Sequence, residues 1–213
     1  MENSAQALRE LRQSTNDKML DAAIDGARAI IVLPNLYQAG FVYSVHGGNG
    51  VLVARRADGG WGAPVFVTVG GAGYGFQAGL EKSRLVLTIM EDEMLERLLD
   101  SGLNFDASAK YDILGVREET SRGSLTEERP VMAFTDGVGL MAGVALRGGV
   151  LTTNRSLTQS YHGAASGSVE EIMKGISAPS LETFSLWAAL GVVPEAPAHK
   201  GGGSIGPGRS DKP

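Results

Sequence analysis

The sequence predicts an α+β domain: a mainly antiparallel, glycine-rich β meander and sheet with N-terminal, central and C-terminal helices packed on it. Three observations predict this class. Phe41, Tyr43 and Val45 alternate with Val42 and Ser44, the period-two pattern of a strand. The 30 glycines among 213 residues cluster within and around such runs, as turn-rich β structure requires. Short turns between the runs make an antiparallel meander rather than a βαβ crossover.

Residues 4–28 read as helical. Leu8, Leu11, Met19, Leu20, Ala23, Ile24 and Ala27 recur at three- and four-residue spacings, with a break at 14–17. Glu10, Arg12, Asp17, Lys18, Asp21 and Asp25 form a mixed-charge polar side. That mixture favours a helix packing on the sheet over a basic amphipathic helix meeting a membrane. Residues 26–33 are apolar, and Pro34 is expected to stop them.

The meander follows. Residues 41–45 form one strand, His46 to Gly50 a turn, 51–55 a second strand and 65–69 a third. Asp58-Gly59 suits the turn at 57–60, because both residues tolerate positive φ. The glycines of 70–75 are expected to be architectural, needed for positive φ or for close strand contact. Leu85, Leu87 and Ile89 mark a strand. Acidic residues open a helix over 92–100, where they complement its dipole, and Ser101-Gly102 closes it. Residues 111–116, 130–134 and 150–153 are further strand candidates, 140–146 is β-capable, and 117–129 reads as an exposed hairpin or loop. Ser168 and Glu171 form a capping box for a short helix that Gly175 ends. A final helix spans 180–190. Residues 1–195 are read as one domain and 196–213 as a disordered tail.

Composition narrows the function. With 43% hydrophobic residues the chain can build a real core, and a net charge of −5 gives no global attraction to nucleic acid or to an anionic membrane, which leaves only local patches. No cysteine is present, so disulfides and thiolate metal sites are excluded. No apolar run reaches transmembrane length. The N-terminus lacks an apolar leader, which fits either a cytosolic protein or an exported one whose leader has been removed.

Several motifs have bland explanations. Gly71-Ala-Gly73-Tyr-Gly75-Phe-Gln-Ala78 matches a loose dinucleotide fingerprint, but it lacks strand–helix alternation. Gly202-Gly-Ser-Ile-Gly206 mimics a serine hydrolase elbow but lies in the tail. His46, His162 and His199 have no metal-ligand spacing, and no metal or cofactor is expected. Trp61, between Gly60 and Gly62 and before Pro64, is read as core. Arg55, Arg56, Lys82, Arg84 and Arg28 are candidates for a patch that meets phosphate head groups, with scattered solubilising charge as the alternative.

One long composite carries a family resemblance. Residues 39–64, AGFVYSVHGGNGVLVARRADGGWGAP, followed by GGAGYGFQAG at 70–79, resemble the signature of the SYLF domain family. Its glycines and neighbours are Gly50, Trp61, Pro64, Gly71, Gly73, Gly75, Gln77 and Gly79. The GLMAGV at 139–144, with Gly143, resembles the family's GLFAG, and Tyr161-His-Gly163 its YYG. The signature spans about 20–175. Three departures stand out: Gly62 follows the tryptophan where serine is usual, an acid (Asp136) lies before GLMAGV, and Val45-His46 replaces a glycine-basic pair.

The resemblance implies a non-enzymatic module that binds phospholipid at a membrane surface, with phosphoinositide and actin as ligands of eukaryotic relatives. Anionic phospholipid is the expected partner; actin is not, since no accompanying partner module is evident. Many bacterial relatives look like exported lipoproteins, so the bacterial envelope, periplasm or outer membrane, is the expected location, with a cytoplasmic peripheral protein as the alternative. The rival functions are an envelope lipoprotein with a structural or protein-interaction role and an envelope hydrolase.

Overall fold

The computed structural model describes residues 1–14, 17–41, 43–74, 79–105, 112–115, 130–136, 148–163, 168–173 and 181–191. Gly75, Gln77, Gly143, His199, the loop at 117–129, the run at 140–146 and the proposed tail at 196–213 lie outside them.

The chain opens with α1 (Glu2–Ser14) and α2 (Asp17–Gly26), which bracket the expected break. Four long strands follow: β1 (Ala29–Gly40), β2 (Tyr43–Ala54), β3 (Val65–Tyr74) and β4 (Gly79–Ile89). Then come α3 (Asp92–Asp100), β5 (Leu103–Asn104), β6 (Asp112–Gly115), β7 (Val131–Thr135) and β8 (Gly149–Thr153). The chain continues with α4 (Arg155–His162), α5 (Val169–Met173) and α6 (Leu181–Ala189). Among the described residues the strands form one eight-stranded sheet, in the order β5-β8-β3-β2-β1-β4-β7-β6. All pairs are antiparallel except β6 with β7. The fold is therefore α+β around an antiparallel sheet, as the sequence predicts.

Both faces of the sheet are packed at the end formed by Ala29. On one face Ile31, Leu33, Leu52, Leu85 and Leu87 meet α3 and α5. On the other, Ile30, Val32, Val51, Val53 and Phe134 meet α1, α2 and α6. Burial on both sides explains why residues 29–33 are apolar without alternation. Trp61 is buried in the second cluster, in keeping with its core reading.

Two local readings change. Pro34 does not stop the apolar segment; β1 runs through it. The register slips between Val32 and Asn35 against β2, and between Leu33 and Leu36 against β4. Proline cannot donate to a ladder, so a bulge is where a strand tolerates it. The cluster from His46 to Gly50 is not a turn but the middle of β2. Its glycines admit the bulged neighbour: a Cβ on Gly48 would stand 2.5 Å from the Asn35 carbonyl oxygen, and one on Gly50 would collide with that of Val32. The hairpin turn lies earlier, between Gly40 and Tyr43. The expected turn at Asp58-Gly59 is present: Gly59 has φ +84°, and Asp58 Oδ1 accepts from the Gly60 N–H at 2.9 Å. Gly163 caps α4 at φ +92°.

Candidate functional site: an uncovered sheet face

Beyond the bulge the sheet continues toward its tip, and its side chains are sorted by the register. Lys82, Tyr37, Gly47, Gly70 and Val150 form one row across β4, β1, β2, β3 and β8. Leu80, Ala39, Val45 and Ala72 form the next. Tyr43 follows on the same face by the two-residue alternation of β2. This is the face that α1 covers farther back, where Glu10 meets Arg84 at 2.6 Å.

At the tip the helical cover ends. Tyr37 is 48% exposed, Phe41 73%, Tyr43 68%, Val45 59% and Leu80 78%. The opposite parity holds Gln38, Ser44 and His46, and all three are buried. The usual pattern of a half-covered hairpin is thus inverted: large apolar side chains face out and polar ones face in. A contiguous apolar patch of this kind marks a contact surface. Gly47 and Gly70 leave the middle of the first row without side chains, and a Cβ on Gly70 would stand in open space, with nothing within 4 Å. Lys82 is the charged residue of these rows among the described residues, and its Nζ lies 5.9 Å from the Tyr37 ring centre.

The five expected cations do not form one patch. Arg28, Arg55 and Arg56 sit at the far end of β1 and β2, where Ala29 pairs with Ala54. Lys82 pairs with Tyr37, eight residues along β1, roughly 25 Å away at the usual strand rise. Arg55 serves the fold. It donates to the carbonyls of Ala27, Ile24, Asp25 and Gly59, and its guanidinium lies 4.2 Å from the Trp61 ring. Arg56 pairs with Asp58 at 2.9 Å and Arg28 with Asp92 at 3.6 Å. Arg84 is held between Glu10 and Asp136. The acid that breaks the family pattern thus neutralises a basic neighbour.

The signature residues take up framework positions. Pro64 is buried, and its carbonyl oxygen lies 2.7 Å from His162 Nε2, while Tyr161 packs edge-on against Phe66. Gly71 is needed for close approach and not for positive φ. A Cβ there would stand 2.5 Å from Gly149 Cα, 2.6 Å from His46 Nε2 and 2.7 Å from the Gly148 oxygen. Gly73 pairs with Ser44 inside β3, and Gly79 opens β4 opposite Gly40. The dinucleotide-like run therefore begins within an antiparallel strand, not in a phosphate-binding turn.

Sequence reasoning recognised the alternation of Phe41, Tyr43 and Val45 but not their exposure. The available signal was the polar partner set: Ser44 and His46 alternate with them, and one parity had to face in.

Among the described residues no helix is long and apolar enough to cross a membrane, and no cluster of three metal-ligating side chains occurs. The family model described as "Las17-binding protein actin regulator" (Ysc84) matches residues 70–193, more than half of the chain. The human SH3 domain-containing YSC84-like protein 1 is 29% identical over 166 residues, covering 75% of this chain and 48% of the relative. The rat protein of that name is 30% identical over 168 residues, with the same coverage. Protein YSC84 of Saccharomyces cerevisiae is 29% identical over 137 residues, 62% of this chain and 29% of its own. The chain thus spans about half the length or less of these curated relatives. No solved structure matches it. Tyr37, Phe41, Tyr43 and Val45 precede the matched span, whereas Leu80 and Lys82 fall inside it.

Proposed function

The chain belongs to the Ysc84 (SYLF) family, and we propose that it is a non-enzymatic module that binds phospholipid bilayers through the uncovered face of its sheet. The inverted tip carries this reading: Tyr37, Phe41, Tyr43, Val45 and Leu80 face out while Gln38, Ser44 and His46 are buried. The occupant that suits the face is a membrane interface. Tyrosines present an apolar body with a polar end, and a lysine can lay its stem on apolar surface while its ammonium reaches water. In the exposed rows Lys82 supplies one positive charge, and among the described residues no carboxylate pairs with it, which complements a phosphate-bearing surface. Full burial of a large apolar side chain is worth about 1.5–3 kcal/mol, so partial insertion of five suffices for reversible association. The family resemblance to lipid-binding domains supports the same ligand class. For the compartment we retain the bacterial envelope as a proposal, to be checked by fractionating the source cells.

Vesicle flotation tests the reading. The full chain should float with phosphatidylcholine vesicles and more strongly with vesicles containing phosphatidylserine. Leu80→Glu should reduce flotation at least tenfold, the effect of about 1.4 kcal/mol, with its melting temperature unchanged. Equal flotation of Leu80→Glu and wild type would overturn it.

A second reading rests on the family description, which names a Las17-binding actin regulator. On that reading the same face docks a protein of the actin machinery. Co-sedimentation with actin filaments that Leu80→Glu abolishes, without vesicle binding, would favour it.

A further inference from the structure

A polar cavity of about 210 Å³ borders the apolar face, between α1, the β1 bulge and β4. Its walls include Asn3, Gln6 and Glu10 from α1, Asn35 from the bulge, and Lys82 and Arg84 from β4. Each element has a local reason to be there. Pro34 and Asn35 bulge out of the ladder, which leaves Arg84 facing two residues of β1. The Arg84 N–H donates to Asp136 Oδ1 at 2.8 Å, and the Thr135 hydroxyl donates to the Arg84 carbonyl at 2.8 Å, which fixes the floor.

The charges of the cavity are ordered. Arg84 is matched by two carboxylates, with Glu10 Oε2 at 2.6 Å and Asp136 on its other side. It has little left for an external anion. Glu10 Oε1 accepts from Gln6 Nε2 at 2.7 Å. A carboxylate offers about four acceptor sites, so Glu10 keeps room for further donors. Lys82 has no carboxylate partner among the described residues. The lining thus offers one ammonium, one carboxylate with open acceptor sites, and the amides of Asn3 and Asn35. Lys82 also borders Tyr37 and Leu80, so it belongs to the cavity and to the apolar face at once.

We propose that this cavity is a head-group site for a phosphoethanolamine group: the phosphate meets Lys82, and the primary ammonium donates to Glu10. The inference rests on the membrane reading above, because it places acyl chains over Leu80, Val45 and Tyr37 and the head group at the adjoining cavity. A head group with several phosphates suits the site less, since it would bring extra negative charge toward Glu10 and Asp136. Phosphocholine also suits it less, because a quaternary ammonium has no N–H to donate.

The test is a titration of the full chain, followed by amide chemical shifts. The probes are glycerophosphoethanolamine, glycerophosphocholine, inorganic phosphate and inositol bisphosphate. Glycerophosphoethanolamine should shift the side-chain amides of Asn3, Gln6 and Asn35 saturably. It should bind roughly tenfold more tightly than phosphate, the effect of one added interaction of about 1.4 kcal/mol. Glu10→Gln should remove that advantage, and Lys82→Met should weaken every phosphate probe. Absence of saturable shifts in the wild type overturns the proposal, as does tighter binding of inositol bisphosphate or equal binding of the choline probe. The wild-type titration decides even if Glu10→Gln unfolds. Vesicle flotation separates the two claims: flotation without head-group shifts defeats the cavity alone, and head-group shifts without flotation defeat the membrane face alone.

Discussion

The Cα of Gly149 lies 2.5 Å from where a side chain on Gly71 would begin, whereas an added Cβ on the adjacent Gly70 would meet nothing within 4 Å. The two glycines face opposite sides of β3, and only one faces a neighbouring backbone. Gly71→Ala should therefore destabilise the protein by about 1–3 kcal/mol, because the clash with Gly149 and Gly148 is with main chain that cannot rotate away. Gly70→Ala should be neutral or slightly stabilising, since alanine restricts the unfolded chain. Denaturant unfolding of the two variants checks this. Equal effects would show that the register of β3 against β8 is wrong.

Arg55 and Lys82 should behave as opposites. Arg55→Glu removes a guanidinium that serves four carbonyls and stacks on Trp61. It should cost about 1.5–3 kcal/mol, the scale of hydrogen bonds made by a charged group. Lys82→Glu should leave melting unchanged and weaken binding to phosphatidylserine vesicles, the more so at low salt. Thermal melting with flotation measures both. A stable Arg55→Glu protein that no longer binds vesicles would restore the cation cluster at the other end of the sheet.

His46 gives a pH dependence. Its ring is buried, its Nε2 has no hydrogen-bond partner among the described residues, and burial holds its pKa below the ordinary histidine value. The unfolded chain therefore takes up this proton at higher pH than the folded protein. The stability tied to the neutral ring is complete above about pH 6.5 and is lost as pH falls below it, by up to about 1.4 kcal/mol per unit. His46→Gln should lose less stability than wild type between about pH 7.5 and 5.5. Parallel losses in the two proteins would assign the effect to other groups.

Local signals carried much of the fold. The acids and the terminal Ser101-Gly102 place α3 at Asp92–Asp100, and Gly102 takes φ +84°. The capping box forms as expected: Ser168 N–H donates to Glu171 Oε2 at 2.7 Å, and Glu171 N–H donates to Ser168 Oγ at 3.3 Å. What failed was nonlocal. A glycine that admits a bulge looks the same in sequence as a glycine that makes a turn, so residues 46–50 read as a turn although they lie within β2. Pro34 stops a regular ladder, but a register slip on both neighbours absorbs it. Helix α4, with the polar sequence RSLTQSYH, has no apolar stripe to announce it. The candidate site was the least legible part. The exposure of Tyr43 and Val45 depends on which distant elements pack on that face, and the pairing of Arg84 with Asp136 spans 52 residues.

The central claim is that the face bearing Val45 and Leu80 enters the bilayer. The chain contains no cysteine, so a single label can be placed at will. Leu80→Cys and Val45→Cys, each carrying an environment-sensitive fluorophore, report the face, and Glu93→Cys on α3 is the control. The account predicts that phosphatidylserine-containing vesicles shift the emission at positions 80 and 45 to the blue and expose both labels to quenching by brominated acyl chains, while position 93 does not respond. Quenching at position 93 with none at 80 and 45 would contradict it.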